Sequence, residues 1–140
     1  MTVFEPNETP PLILIADDDP SIVRLLADRF SLMGFKVETA SNGRQALRRV
    51  RQGGVDALIV DIQMPELDGI EATQQIRQAE KTTVGHVPIV AMTAHAMAED
   101  RGRCLEAGMD DYLSKPINRK ELLAALARQG ANRAAGQVVS

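Results

Sequence analysis

Short apolar runs alternate along the chain with longer stretches that have the hydrophobic period of an α-helix. An alternation of strands and helices is typical of a parallel sheet with helices packed on both faces. The first and third runs are apolar at every position, which indicates central strands covered on both sides. The pattern therefore predicts an α/β fold. The strand candidates are Leu12 to Ala16, Phe35 to Thr39, Ala57 to Val60, Ile89 to Met92 and Tyr112 to Leu113.

Capping signals divide the remaining stretches into five helices. Asp19 is a suitable N-cap before Pro20, and Gly34 ends the first helix. Asp68, with Glu71 three residues later, resembles a capping box at the start of the third helix. The predicted helices are Pro20 to Gly34, Gly43 to Gln52, one that begins at Asp68, Ala98 to Ala107, and Asn118 to Arg128.

The length of 140 residues allows one domain with a sizeable core and is short for two. We predict that this domain covers residues 12–129. The segment 1–11 is rich in Pro, Thr, Asn and Glu, and the tail 130–140 is rich in Ala, Gly and polar residues. Both ends are therefore expected to be flexible.

Composition excludes several classes of function. The net charge is −3, and no cluster of Lys and Arg is interleaved with aromatic residues, which argues against direct nucleic-acid binding. No apolar stretch is long enough to span a bilayer, and the polar start of the chain does not resemble a signal peptide. We therefore expect a cytoplasmic protein without direct membrane contact. Cys104 is the only cysteine, which we interpret as a small buried residue rather than a reactive thiol.

Polar residues suited to phosphate chemistry follow four of the five predicted strands. Open parallel α/β sheets bind ligands outside the carboxyl ends of their strands. Groups that can hold a metal ion and a phosphoryl group are therefore expected at one edge of the sheet. These residues are Asp17, Asp18 and Asp19 after the first strand, Asp61 after the third, Thr93 after the fourth and Lys115 after the fifth.

The three consecutive aspartates are candidate metal ligands. Converging carboxylates raise one another's pKa unless a cation lies among them. Ligands that are all oxygen indicate a hard ion, and Mg²⁺ is commonly held by one or two carboxylates with water and phosphate. Asp19 is better explained as the helix cap, which leaves Asp17 and Asp18 for the metal. The alternative is that all three only cap and solubilise a loop.

Asp61 ends an apolar strand, where a carboxylate needs a partner or a function. Beside a cation it can attack phosphorus and form an acyl phosphate. Lys115 would supply positive charge to the phosphoryl oxygens, and the Thr93 hydroxyl would donate a hydrogen bond. Taken singly, Thr93 is a strand-end hydroxyl and Lys115 a surface cation. Their joint placement favours a catalytic function.

The order and spacing of these residues resemble the signature of response-regulator receiver domains of two-component signalling. The matching residues are Asp17-Asp18, Asp61, Met64-Pro65, Asp68-Gly69, Thr93-Ala94, Tyr112 and Lys115-Pro116. The resemblance covers about Leu12 to Arg128, and the stretch Met92 to Ile117 is most similar to receivers of hybrid sensor histidine kinases. It implies a flavodoxin-like, doubly wound five-stranded parallel sheet of order 2-1-3-4-5 with five helices.

The resemblance also implies a role for each acidic residue. Asp61 would be the phosphoacceptor. Asp18, Asp61 and the backbone carbonyl of Gln63 would bind Mg²⁺ directly, and Asp17 would bind it through water. The expected cofactor is therefore Mg²⁺.

Further roles follow from the same resemblance. Thr93 and Lys115 would contact the phosphoryl group, and Tyr112 would act with Thr93 as the aromatic switch residue. A cis peptide bond at Lys115-Pro116 would aim the lysine at the site.

The resemblance implies partners rather than substrates. A receiver takes its phosphoryl group from a histidine kinase or a histidine phosphotransfer domain and switches a protein-interaction surface. We therefore expect a signalling domain, not an enzyme, that takes part in its own phosphotransfer and autodephosphorylation. The chain contains no kinase or DNA-binding output domain, so it is expected to be either a stand-alone receiver or a piece of a longer protein.

The first predicted helix has a candidate partner surface. A helical wheel places Ile22 at the edge of the core-facing stripe and Leu25 well outside it. In receivers this helix docks against phospho-histidine helices, so Ile22, Leu25 and Pro116 are candidate contacts. An incidental exposed leucine is the alternative explanation for Leu25.

Two alternative functions have distinct signatures. A phosphatase of the haloacid dehalogenase type uses the same nucleophile, metal and lysine, but places a second Asp two residues later as general acid and base. That position is Gln63 here. A degenerate receiver that only binds partners usually lacks one of the acids, whereas this chain has all of them. Both features favour a phosphoacceptor.

Overall fold

The computed structural model describes residues 10–64, 67–82, 85–93, 98–115 and 119–128. Within these residues, five strands alternate with five helices and form one parallel sheet of order β2-β1-β3-β4-β5, which confirms the predicted fold. The elements are β1 (Leu12–Ala16), α1 (Pro20–Leu32), β2 (Lys36–Ala40), α2 (Gly43–Arg51), β3 (Ala57–Asp61), α3 (Gly69–Glu80), β4 (Ile89–Thr93), α4 (Ala98–Ala107), β5 (Asp111–Ser114) and α5 (Arg119–Arg128).

The central strands alternate their side chains between two hydrophobic clusters. Ile13 and Ile15 of β1 face a cluster that includes Phe30 of α1 and residues of α5. Leu14 and Ala16 face a second cluster, formed with residues of α2, α3 and α4. Every residue of β1, β3 and β4 is buried, as expected for strands with helices on both faces. Cys104 is also buried, with an exposed fraction of 1%, which confirms its predicted place in the core.

The helix starts follow the predicted capping residues. The Asp19 side chain accepts a hydrogen bond from the backbone N–H of Ser21, and Asp68 accepts one from Glu71. Each cap satisfies a backbone donor that has no partner within the first turn of the helix. The helices that follow β1 and β3 therefore begin at positions set by local sequence.

Four strands end one residue later than predicted, β2 at Ala40, β5 at Ser114, and β3 and β4 at polar residues of the predicted site. β3 includes Asp61 and β4 includes Thr93 as their last residues. Asp61 is aligned with Met92 across the β3–β4 pair, and Thr93 with Ser114 across the β4–β5 pair. Both polar residues are therefore held by the sheet rather than by a loop.

Most of the predicted flexible ends, namely residues 1–9 and 130–140, lies outside the described residues. Pro11 is buried, and its carbonyl oxygen accepts a hydrogen bond from the Lys36 backbone at 3.0 Å. None of the helices in the described part of the chain has the length and apolar character needed to cross a membrane.

Candidate functional site

The carboxyl edge of the sheet brings together three side chains that are far apart in the sequence. Asp17 follows β1, Asp61 ends β3 and Lys115 follows β5. The Lys115 Nζ atom lies 3.0 Å from Asp17 Oδ2 and 3.2 Å from Asp61 Oδ2. Parallel strands end at the same edge, so the sheet itself places these groups together.

The carboxylates form a compact acidic cluster. Oxygen atoms of Asp17, Asp18 and Asp61 lie within 4.8 Å of one another. The exposed fractions of Asp17 and Asp61 are 2% and 6%, whereas Asp18 is exposed. Asp19 lies outside this cluster and caps α1, as predicted. Three oxygen donors, one of them open to solvent, form a set that fits a hard divalent cation such as Mg²⁺.

Backbone hydrogen bonds orient the two buried carboxylates. Asp17 Oδ1 accepts from the Asp19 N–H at 2.9 Å, and Asp61 Oδ1 accepts from the Gln63 N–H at 3.0 Å. In both residues the second oxygen, Oδ2, contacts Lys115. Each carboxylate is therefore held at both oxygens, which limits its rotation.

Burial and charge shift two ionisation equilibria at the site. Burial raises the pKa of Asp61 above its ordinary value, and the neighbouring Asp17 raises it further, although the Gln63 N–H and Lys115 oppose the shift. Burial lowers the pKa of Lys115, but its hydrogen bond to Asp17 and the two nearby carboxylates outweigh burial and raise the pKa overall. Lys115 is therefore a cation at neutral pH.

Thr93 is the last residue of β4, and Tyr112 lies on β5, the strand that precedes Lys115. Thr93 is buried, and its carbonyl oxygen accepts a hydrogen bond from the Lys115 backbone N–H at 2.8 Å. Tyr112 is partly buried against the cluster formed with α2, α3 and α4. The Arg101 guanidinium carbon lies 5.3 Å from the centre of its ring, a cation–π contact. The threonine is thus linked to the lysine through the backbone.

A polar cleft of about 430 Å³ opens beside the acidic cluster. The Gln63 side chain is exposed there. Arg103 of α4 also reaches the cleft, a position that the sequence pattern did not indicate, because it depends on the packing of α4 near α3. The lining residues are Asp18, Ile62, Gln63, Met64, Asp68 and Arg103.

The candidate partner surface on α1 is partly described. Leu25 has an exposed fraction of 50%, while Ile22 is half-buried against the core. Both lie in the first two turns of α1, directly after the acidic residues. Pro116 and the predicted cis bond before it lie outside the described residues.

A doubly wound parallel sheet with an acidic cluster and a lysine at its carboxyl edge defines a receiver-type signalling domain. The chain belongs to the response regulator receiver domain family, which matches residues 13–127.

Curated relatives place this domain among two-component systems and phosphorelays. The chain is 42% identical to sensor histidine kinase RcsC of Salmonella typhi over 83% of its length, and 41% identical to GacS of Pseudomonas protegens over 93%. It spans only 12% and 16% of these two kinases. The predicted similarity to receivers of sensor kinases is therefore confirmed.

Solved structures support the same assignment. The receiver domain of sensor histidine kinase PA1611 from Pseudomonas aeruginosa, solved with a magnesium ion in its active-site cleft, is 38% identical with a TM-score of 0.77. The alignment covers 86% of this chain and 97% of that one. The Ssk1 receiver of Saccharomyces cerevisiae, solved with the histidine phosphotransfer protein Ypd1, is 30% identical with a TM-score of 0.77, covering 93% and 92% of the two chains.

Proposed function

We propose that the chain accepts a phosphoryl group from a phospho-histidine onto Asp61 in a Mg²⁺-dependent reaction. The observation that carries this proposal is the contact of one lysine ammonium with both Asp17 and Asp61 at the edge of the acidic cluster. A buried carboxylate beside a cation and a second acid is suited to nucleophilic attack on phosphorus.

The donor set supports Mg²⁺ as the resident ion. Asp18, Asp61 and the backbone carbonyl of Gln63 would hold it directly, and Asp17 would do so through water. The single ammonium of Lys115 leaves the three carboxylates with excess negative charge, and a hard divalent ion is the usual remedy. When bound, Mg²⁺ supplies positive charge that stabilises the carboxylates and the phosphoryl oxygens.

The residues of the chain have distinct parts in the transfer. An Asp61 oxygen forms a bond to phosphorus as the phosphorus–nitrogen bond to the donor histidine breaks and the imidazole leaves. The Gln63 N–H already orients the Asp61 carboxylate. Lys115 then contacts the phosphoryl oxygens, which carry the charge that it neutralises. Hydrolysis of the acyl phosphate at the same site returns the domain to its resting state.

Thr93 and Tyr112 form the proposed switch. The Thr93 hydroxyl would donate a hydrogen bond to the phosphoryl group, and the Tyr112 ring would turn inward in response. Two features support this pair: Thr93 is buried next to the Lys115 backbone, and Tyr112 is only partly buried. The movement would change a protein-interaction surface rather than a catalytic step.

The proposed partner is a histidine kinase or a histidine phosphotransfer domain in the cytoplasm. Ile22, Leu25 and Pro116 would form the docking surface. The exposed Leu25 side chain beside the acidic residues supports this surface, and the pairing of Ssk1 with Ypd1 is a precedent within the family. Neither nucleic acid nor a membrane is a proposed direct partner.

The experiment is an intact-mass measurement after incubation with acetyl phosphate or a phosphorylated histidine phosphotransfer protein. The wild-type chain is expected to gain one phosphoryl group with Mg²⁺ and none with chelator. Asp61→Asn should gain none, while the control Asp28→Asn, an exposed position on α1, should react normally. An adduct that persists in Asp61→Asn, or that forms equally well in chelator, would falsify the proposal.

A further inference from the structure

The first residue of α2, Gly43, packs against the backbone of the segment between β3 and α3. A Cβ atom at this position would overlap the carbonyl oxygen of Leu67 and lie 2.7 Å from its carbonyl carbon. The Asp68 carbonyl oxygen would be 3.1 Å away. Because backbone atoms cannot give way as a flexible side chain does, any larger residue must displace α2 or this segment.

The start of α2 is itself firmly held. The Asn42 side chain accepts a hydrogen bond from the Gln45 N–H at 2.8 Å, and the Gln45 side chain accepts from the Ser41 N–H at 2.9 Å. The arrangement resembles a capping box, except that the Gln45 side chain binds the residue before the N-cap. Immediately before the box, the Ala40 carbonyl oxygen accepts from the Asp17 N–H at 3.2 Å. The position of Gly43 is thus linked through backbone to the acidic cluster.

The two ends of the β3–α3 segment also pack against each other, at Gly69. A Cβ at Gly69 would overlap the Asp61 carbonyl oxygen and lie 3.0 Å from its carbonyl carbon. The buried Thr73 hydroxyl donates to the Gly69 carbonyl oxygen at 2.8 Å. The described residues at both ends of this segment, Asp61–Ile62 and Leu67–Gly69, are therefore held by backbone contacts.

We propose that Gly43 is a positioning residue of the phosphoacceptor site. Through Leu67 and Asp68 it fixes the adjoining Gly69, which packs against the Asp61 carbonyl and the Ile62 Cα. The Gln63 backbone, which follows Ile62 directly, is thereby kept in place beside Asp61. This inference rests on the proposed function, in which the Gln63 carbonyl binds Mg²⁺. Mg²⁺ requires near-ideal octahedral geometry with ligands at about 2.0–2.1 Å, so a small displacement of one carbonyl weakens binding.

The test compares Gly43→Ala with Gly102→Ala. Gly102 is a matched control, since it lies within α4 and a Cβ there would meet no atom within 4 Å. Titration calorimetry with MgCl₂ on the unphosphorylated chain is expected to show affinity weakened about tenfold in Gly43→Ala, the usual scale for loss of support behind a metal ligand. Gly102→Ala should bind as the wild type does. The Gln63 amide signal in NMR spectra should move only in Gly43→Ala.

A purely structural role predicts a different result. Gly43→Ala would then melt at a lower temperature but keep the Mg²⁺ affinity and the Gln63 amide signal of Gly102→Ala, and the inference would be wrong. If Gly43→Ala does not fold, Asn42→Ala replaces it, because loss of the cap loosens the start of α2 without adding atoms. Weaker Mg²⁺ binding in that variant supports the inference, and unchanged binding overturns it.

The wild-type titration separates the two proposals. Failure of the wild-type chain to bind Mg²⁺ counts against the proposed function. Wild-type binding that Gly43→Ala retains in full counts against the role of Gly43 alone.

Discussion

Lys115 Nζ lies 3.2 Å from Asp61 Oδ2, and the same nitrogen lies 3.0 Å from Asp17 Oδ2. One ammonium therefore faces two buried carboxylates, with the exposed Asp18 close by. One positive charge does not balance the three carboxylates around it. Burial and the neighbouring Asp17 raise the pKa of Asp61. This imbalance makes the site sensitive to each charge that it contains.

Asp61→Asn is expected to stabilise the fold at neutral pH. The pKa of Asp61 is raised in the folded state. The Asp61 carboxyl group therefore stabilises the fold below its unfolded-state pKa, and this stabilisation is lost as the pH rises through the folded-state pKa. The advantage of the Asn variant should therefore be largest near neutral pH and shrink toward about pH 4. Urea denaturation across this range checks it, with Asp28→Asn as the control. A pH-independent difference would contradict the explanation.

Lys115→Met is expected to destabilise the chain by about 2 kcal/mol at pH 7, since two hydrogen bonds to charged groups are lost. The raised pKa of Lys115 means that its contribution is present below the ordinary lysine pKa and is lost above the folded one. Adding Mg²⁺ should restore part of the stability. Lys120→Met, at an exposed position on α5, is the control. An equal loss of stability in Lys115→Met and Lys120→Met would show that the ion pairs of Lys115 do not stabilise the fold.

Asp18→Ala is expected to change mainly the Mg²⁺ affinity, and Asp19→Ala mainly the stability. Asp18 is exposed within the acidic cluster, so its loss is expected to weaken Mg²⁺ binding more than about tenfold and slow phosphorylation with little change in stability. Asp19 caps α1, so its loss should cost about 1 kcal/mol of stability. Calorimetric titration and thermal unfolding of both variants measure the two effects. Equal Mg²⁺ affinities would remove Asp18 from the proposed ligand set.

Leu25→Asp is expected to slow phosphotransfer from a protein donor by roughly tenfold, equivalent to about 1.4 kcal/mol. The rate with acetyl phosphate should not change, because the small donor needs no docking surface. Leu32→Asp is the matched control, since Leu32 has an exposed fraction of 69% and lies at the far end of α1. Stopped-flow or gel-based transfer assays compare the variants. Equal rates for Leu25→Asp and the wild type would exclude this surface.

Much of the local structure was predictable from the sequence. Continuous apolar runs predicted the buried strands β1 and β3, and the caps Asp19 and Asp68 predicted where α1 and α3 begin. These features depend on residues close together in the chain, which is why a local sequence pattern predicts them. The predicted strands β3 and β4 each stopped one residue too early, because Asp61 and Thr93 are in strand conformation through their pairing with neighbouring strands.

The sequence by itself determined the alternation of strands and helices and the residue types at the carboxyl edge of the sheet, and the family resemblance supplied the strand order. Only the tertiary structure decided which of these groups touch. Lys115 contacts Asp17, which lies 98 positions earlier in the sequence. Gly43, the first residue of α2, packs against Leu67, which precedes α3. Such contacts, and the burial that raises the pKa of Asp61, arise when distant elements pack together and exclude water. Their distances follow from that packing rather than from local pattern.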